Sequence, residues 1–343
     1  MSADTPLNDQ LLDPLLPPRP VAPYYDPSQD AWVISRHADV LAALREPRLR
    51  LTNEPKEVSD TGMQSRLRSE TLAALSTARL AEWQVQIEPL AYTLVDRLPG
   101  GHPIDILREF ARPWSLATAV IVTGADTSRA ERLASLARQV SLATADPADS
   151  SLQFAAAEAN TELKQMLRDS TIPRSGAVFV ALSQTLPCFL ANAWLALLRH
   201  PEELARLRAE PDLMPQAMEE LLRYAGLTRK ISRYSGATLK LREITIAEGA
   251  RVILLLASAN RDPEQFPDPD RLDLTRRAAG PLAFGTGPHA CVGASLIRMA
   301  ASVATRVVVE RFLESPTIAP VEWCGGSVFR WAASLYVLLR TQN

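Results

Sequence analysis

Phe284-Gly285-Thr286-Gly287-Pro288-His289-Ala290-Cys291-Val292-Gly293 gathers a thiol, an imidazole and three glycines within ten residues. Several chemistries use such a set. Gly285-x-Gly287-x-x-Ala290 matches a dinucleotide-binding fingerprint, but that motif must follow a buried strand, and Ala278-Ala279-Gly280-Pro281 does not read as one. A zinc site fails because His289 and Cys291 have no second ligand pair nearby. There remains a lone cysteine in a glycine-rich turn at the start of the last helical segment. Free N–H groups and the dipole at a helix start favour a thiolate. The glycines let the backbone lie close to a flat, bulky group. The plain alternative, a buried cysteine on an apolar helix face, does not account for the surrounding residues.

A thiolate held this way suits haem iron, where the sulfur pushes electron density that favours O–O cleavage. The segment resembles the haem-binding loop of the cytochrome P450 family at Phe284, Gly285, Gly287, His289, Cys291 and Gly293. Glu220-Leu221-Leu222-Arg223 resembles the family's Glu-x-x-Arg. Alone it reads as an i,i+3 surface pair. Followed by Asn260-Arg261-Asp262-Pro263 and Phe266-Pro267-Asp268-Pro269, in the family's order, it becomes specific. The resemblance implies haem b (iron protoporphyrin IX) with Cys291 as the metal ligand and Phe284, Gly285 and Gly293 among the binding residues. It also implies Arg233 and His289 on the haem propionates, a sensible pairing of cation and carboxylate; ordinary surface charge is the alternative. The first half matches more loosely. Gln64-x-x-x-Arg68 stands where the family has His-x-x-x-Arg, so Arg68 is expected on a propionate while Gln64 offers a neutral hydrogen bond.

From Ser175 to Leu198 the chain carries no charge, a length that could cross a bilayer. Ser183, Gln184, Thr185, Pro187 and Asn192 lie inside the run and favour a buried helix of a soluble domain. Ala181-Leu182-Ser183-Gln184-Thr185 resembles the family's Ala-Gly-x-acid-Thr. Thr185 is then the proton-delivery hydroxyl, and Gln184 occupies the acid's place without an acid's proton. Leu182 replaces a small residue. Pro187 lacks an N–H and its ring opposes the Ser183 carbonyl, so the helix is expected to kink there. Neutral repacking explains these changes equally well.

The elements that must position these groups are mainly helical. Helical spacing runs from about Arg66 to Leu98, Ile104 to Val122, Arg129 to Thr144 and Leu152 to Arg168, with a last helix from about Cys291 to Phe312. Ala31–Ser35 and Arg251–Leu256 read as strands, Lys230–Ile246 as a hairpin, and Val321–Leu339 as strand-like. No linker divides the chain, which reads as one mainly α, cytochrome P450-like domain over 1–343 with small β-sheets and a Pro-rich arm at 1–27. Stretches lost relative to the family, between Arg50 and Gln64 and between Arg168 and Ala177, suggest a trimmed lid. A net charge of -2 and 6% aromatic residues speak against nucleic acid. Three scattered cysteines and no signal peptide point to the cytoplasm.

Three functions follow from the resemblance. The first is a haem-thiolate monooxygenase acting on a small or medium organic molecule, free or carrier-bound, in specialised metabolism. A separate ferredoxin and reductase would feed it, with Arg298 as a candidate docking residue. The second is a haem-thiolate enzyme of different chemistry: peroxide-driven oxidation, cyclisation or rearrangement. The third is a non-catalytic binding or recruitment module.

Overall fold

Helix ends in this chain follow local chemistry. A computed structural model describes residues 17–53, 61–277, 280–311 and 321–339. The stretch expected as one helix from Arg66 to Leu98 is two, Thr61–Ala74 and Thr77–Asp96, broken at Leu75 and Ser76. Arg112–Thr123 stops at Gly124, which takes φ 66°, a left-handed cap that only glycine adopts without strain. Ala130–Ala145 and Ser150–Met166 pack along each other, the second capped by Asp149 accepting from the Ser151 and Leu152 N–H groups. The last helix is Ala294–Val309, shorter than the sequence suggested at its start, because 287–289 form a separate 3₁₀ turn. Phe312 lies outside the described residues.

A continuous run from Ser175 to Arg199 threads the interior. Its mean hydropathy is 1.4 and 72% of its most apolar window is buried, so the apolar stretch is a core helix of this fold. The helix is not regular. Residues Ala181–Thr185 form a π turn in which the Leu186 N–H donates to Ala181 O, five residues back. Pro187 follows immediately. The sequence led to the expectation that the helix would kink or open at Pro187, and it opens, as a widened turn just before that residue.

Five strands form the main sheet in the order Tyr24–Asp26, Ala31–Ile34, Arg251–Leu254, Ile231–Ser235, Leu49–Arg50. The second and third run parallel, and the other pairs are antiparallel. Lys230–Ile246 is therefore not one hairpin. Ile231–Ser235 joins distant strands, and only Leu239–Leu241 with Ile244–Ile246 closes locally. Alternation along Arg251–Leu254 puts Val252 and Leu254 into a small core with Ile34, Val40 and Leu44 of the helix His37–Arg45. A much larger core joins the remaining helices through Trp83, Phe110, Trp114, Phe179 and Trp194. In the tail, Trp323–Gly325 pairs with Arg330–Ala332, and Tyr336–Leu338 pairs with Pro103–Asp105. The tip of that tail hairpin joins two layers. Val328 N–H donates to Ala145 O at 3.0 Å, and Val328 O accepts from Arg229 N–H at 2.8 Å.

Candidate functional site

The cysteine loop is held by backbone contacts that its glycines permit. Gly285 has φ 64° and Gly287 φ 75°, conformations that favour glycine. A Cβ on Gly287 would stand 2.5 Å from Leu44 O, so the loop lies directly on the helix His37–Arg45. Cys291 N–H donates to Phe284 O at 2.9 Å and closes the loop. The Cys291 side chain is solvent-accessible. Protein around it nevertheless pushes its thiol up by desolvation, opposed by the Gly293 N–H and by the Arg68 and Arg298 guanidiniums.

The loop is anchored to a buried ion pair. Arg223 and Glu220 are 1% and 2% exposed and meet at 2.7 Å (Nε–Oε2), with a second bond of 2.8 Å. An i,i+3 surface pair is therefore not what these residues form. Arg223 Nη1 also donates to Asn260 O at 2.9 Å and Pro269 O at 2.8 Å. Glu220 Oε1 accepts from Asp273 N–H at 3.0 Å and Arg276 Nε at 3.2 Å. Asn260 continues the chain of bonds: its Oδ1 accepts from Leu282 N–H at 2.8 Å, two residues before Phe284. Glu-x-x-Arg and Asn260 were visible in the sequence, but their connection to the loop was not.

Two guanidiniums, of Arg68 and Arg233, and the imidazole of His289 converge beside the cysteine. Arg68 Nη1 donates to Ala290 O at 2.6 Å. Arg233 is buried, its Nη1 donates to the Ser232 carbonyl at 2.8 Å, and burial alone pulls its guanidinium below the ordinary value. His289 hydrogen-bonds to the backbone of Leu49, and its imidazole is depressed by burial first and then by Arg233 and Arg68. Among the described residues, no carboxylate forms an ion pair with any of the three. Two unanswered guanidiniums with an imidazole donor beside them fit a ligand with two carboxylates. Gln64 lies on the helix Thr61–Ala74, one turn before Arg68; its side chain lies outside the described residues.

Phe284 is half-buried, and Arg298 stacks on its ring at 4.8 Å while pairing with Glu219. Arg298 is thus engaged with Glu219 and Phe284 while still partly exposed. Thr185 ends the π turn, half-buried. Gln184 turns toward Ala130–Ala145, its Nε2 3.4 Å from both Ala134 O and Ser183 Oγ, long contacts worth little. Among the described residues no hydrogen bond links Gln184 or Thr185 to the cysteine loop. Cys188, one turn further along, is driven up to about 12 by desolvation and remains a thiol. A shallow recess on the main sheet is lined by Val33, Lys230, Ile253 and Ser327 but by no residue of the loop or central helix.

Comparisons with known proteins agree over most of the chain. Residues 137–318 match the family model for cytochrome P450. The chain is 30% identical to cytochrome P450 107B1 of Saccharopolyspora erythraea, covering 82% of each chain. It is 26% identical to 6-deoxyerythronolide B hydroxylase of the same organism, over 85% of each. Among solved structures it superposes on P450BioI in complex with hexadec-9Z-enoic acid ligated acyl carrier protein. That match has a TM-score of 0.78 and 26% identity, covering 90% of this chain and 92% of the other.

Proposed function

This chain belongs to the cytochrome P450 family of haem monooxygenases, and on that premise we propose that Cys291 would hold the iron of haem b through its sulfur. Arg68, Arg233 and His289 bind the two propionates. The observation that carries this reading is the pair of guanidiniums, with the His289 imidazole beside them, that no acid among the described residues answers: Arg233 is kept buried at a cost that a carboxylate would remove. The accessible thiol agrees with it.

When bound, the haem supplies oxygen activation and insertion of an oxygen atom into an organic substrate. The chain's own residues do the rest. Cys291 would supply the electron-rich sulfur, in a loop whose shape the Cys291 N–H to Phe284 O bond holds. Thr185 passes protons by its hydroxyl, which Gln184 cannot do as an acid would. Leu182 and the apolar face of the central helix keep bulk water away.

The substrate we propose is a small or medium organic molecule of specialised metabolism, free or bound to a carrier. The reading is supported by the relatives' names and by the carrier protein in the P450BioI complex. Electrons come from a separate ferredoxin and reductase, and the enzyme works in the cytoplasm. A second reading, peroxide-driven oxidation, is favoured by the Gln184 amide, since peroxide brings its own protons. The test is the carbon monoxide difference spectrum of the reduced protein, which should be of the thiolate type and vanish in Cys291→Ala. Retention of that spectrum in Cys291→Ala refutes the ligand assignment. Product with peroxide alone, and none with a reductase system, transfers the function to the second reading.

A further inference from the structure

The shallow recess on the main sheet lies apart from the cysteine loop, and one of its walls is the N-terminal arm. Val33, Ile253 and Leu255 give it an apolar lining, Arg229 and Lys230 add two positive charges, and Pro18 completes it. No residue that lines it is acidic. Val33 and Ile253 are register partners on adjacent strands, and alternation sends them to the face opposite Val252 and Leu254, which enter the small core. Arg233 stands in register with Val252 and shares that inner face. The recess is therefore on the outer face of the sheet. The arm reaches it along a fixed course. Val21 N–H donates to Ser35 Oγ at 2.8 Å, Ser35 Oγ donates to Val21 O at 3.0 Å, and Arg19 meets Asp270 at 2.7 Å. Pro17, Pro18 and Pro20 favour extended backbone around those anchors. Sixteen residues precede Pro17, and they hold Asp4, Asp9 and Asp13, five leucines and no Lys, Arg or His. Leu15 and Leu16 adjoin Pro17, and Asp13, five residues before Pro18, is at most about 18 Å from it along the chain.

We propose that residues 1–16 dock on this recess and brace the sheet from outside, with Leu15 and Leu16 over the Val33, Ile253 and Leu255 lining and Asp13 against Lys230. Continuity and charge both favour this occupant. The segment is joined covalently to a wall of the recess, so its effective concentration there is about millimolar or higher. Its three aspartates face two cations with no acid beside them in the lining. A rim ion pair is worth little alone, but a tethered segment with apolar cover needs little. Arg229 and Lys230 lead directly into Ile231–Ser235, the strand that carries Arg233. What steadies the outer face thus steadies the strand assigned to a haem propionate. Only this last consequence rests on the monooxygenase reading.

Carbodiimide coupling of the full chain tests the docking. The reagent joins a carboxylate to an amine already in contact with it, and the chain has four lysines, Lys56, Lys164, Lys230 and Lys240. Mass spectrometry should find Lys230 joined to an aspartate of residues 1–16 within one molecule. Lys230 joined to no aspartate of that segment overturns the proposal. So does a link between light and heavy copies in an isotope-mixed sample, because the occupant is then a second chain. Haem transfer from the loaded protein to an acceptor globin tests the bracing. Lys230→Glu should speed transfer at least about threefold, and adding Asp13→Lys should bring the rate back toward the parent's, the mark of a direct pair. An unchanged rate in Lys230→Glu, or no recovery in the double variant, overturns the bracing role. A parent protein without the thiolate spectrum defeats the monooxygenase reading instead, and the coupling result still decides the docking.

Discussion

Asn260→Ala isolates the single side-chain bond that carries the rigidity of the Glu220–Arg223 pair into the cysteine loop. Asn260 and Leu282 are 2% and 3% exposed, so no bulk water replaces the lost acceptor. Removing Oδ1 takes away the 2.8 Å bond and leaves the Leu282 N–H buried without its partner. An orphaned buried donor costs about 1–3 kcal/mol. The middle of that range, about 2 kcal/mol, is roughly a thirtyfold change in the unfolding constant. Arg223→Met is the harsher comparison. It breaks a buried ion pair, a loss of about 3–5 kcal/mol, and also strips donors from the carbonyls of Asn260, Pro269 and Arg271. That total approaches the whole stability of a typical domain, so no folded protein is expected. Asn260→Ala should fold, show a lower urea midpoint, and lose its thiolate carbon monoxide spectrum faster on standing. An unchanged midpoint together with an equally persistent spectrum would show that the Asn260–Leu282 link transmits nothing to the loop.

Gly287→Ala should destroy haem loading while the far-ultraviolet helical signal stays, because a left-handed φ costs about 1–2 kcal/mol and the new Cβ meets Leu44 backbone rather than a flexible side chain. Normal haem content would refute this. Arg233→Leu should release haem about 10–150-fold faster to an acceptor globin, the loss of about 1.5–3 kcal/mol for a charged hydrogen bond, without lowering the apoprotein's unfolding midpoint; a less stable apoprotein with normal release contradicts the assignment. His37 supplies a pH dependence. Burial depresses its imidazole below the ordinary 6.5, opposed by Asp262, so folding favours the neutral ring. That stability is fully present above about pH 6.5 and is lost as pH falls through the depressed folded value. His37→Gln should have a flatter melting profile between pH 7.5 and pH 5, and identical slopes in parent and variant would count against it.

Features set by neighbours in sequence were legible beforehand. The cysteine loop declared itself through Gly285, Gly287 and Cys291 because turn conformation and helix start are local matters. Pro187 announced the irregular turn for the same reason: a missing N–H acts within one turn. Other features depend on distant partners. Apolar spacing continues across Leu75 and Ser76, so periodicity alone joined two helices that the structure separates. Ile231–Ser235 reads as half a hairpin until Arg251–Leu254 and Leu49–Arg50 claim its two edges. Arg298 carried no sign of Glu219, which is 79 residues away.

The widened turn at Ala181–Thr185 is written into covalent structure rather than induced by what binds. Straightening it would drive the Pro187 ring into the Ser183 carbonyl and restore no bond in exchange. The shape of this stretch of the central helix is therefore set by its own sequence. The Val328 strap between Ala145 and Arg229 is of another kind, two ordinary backbone bonds between segments far apart in the chain.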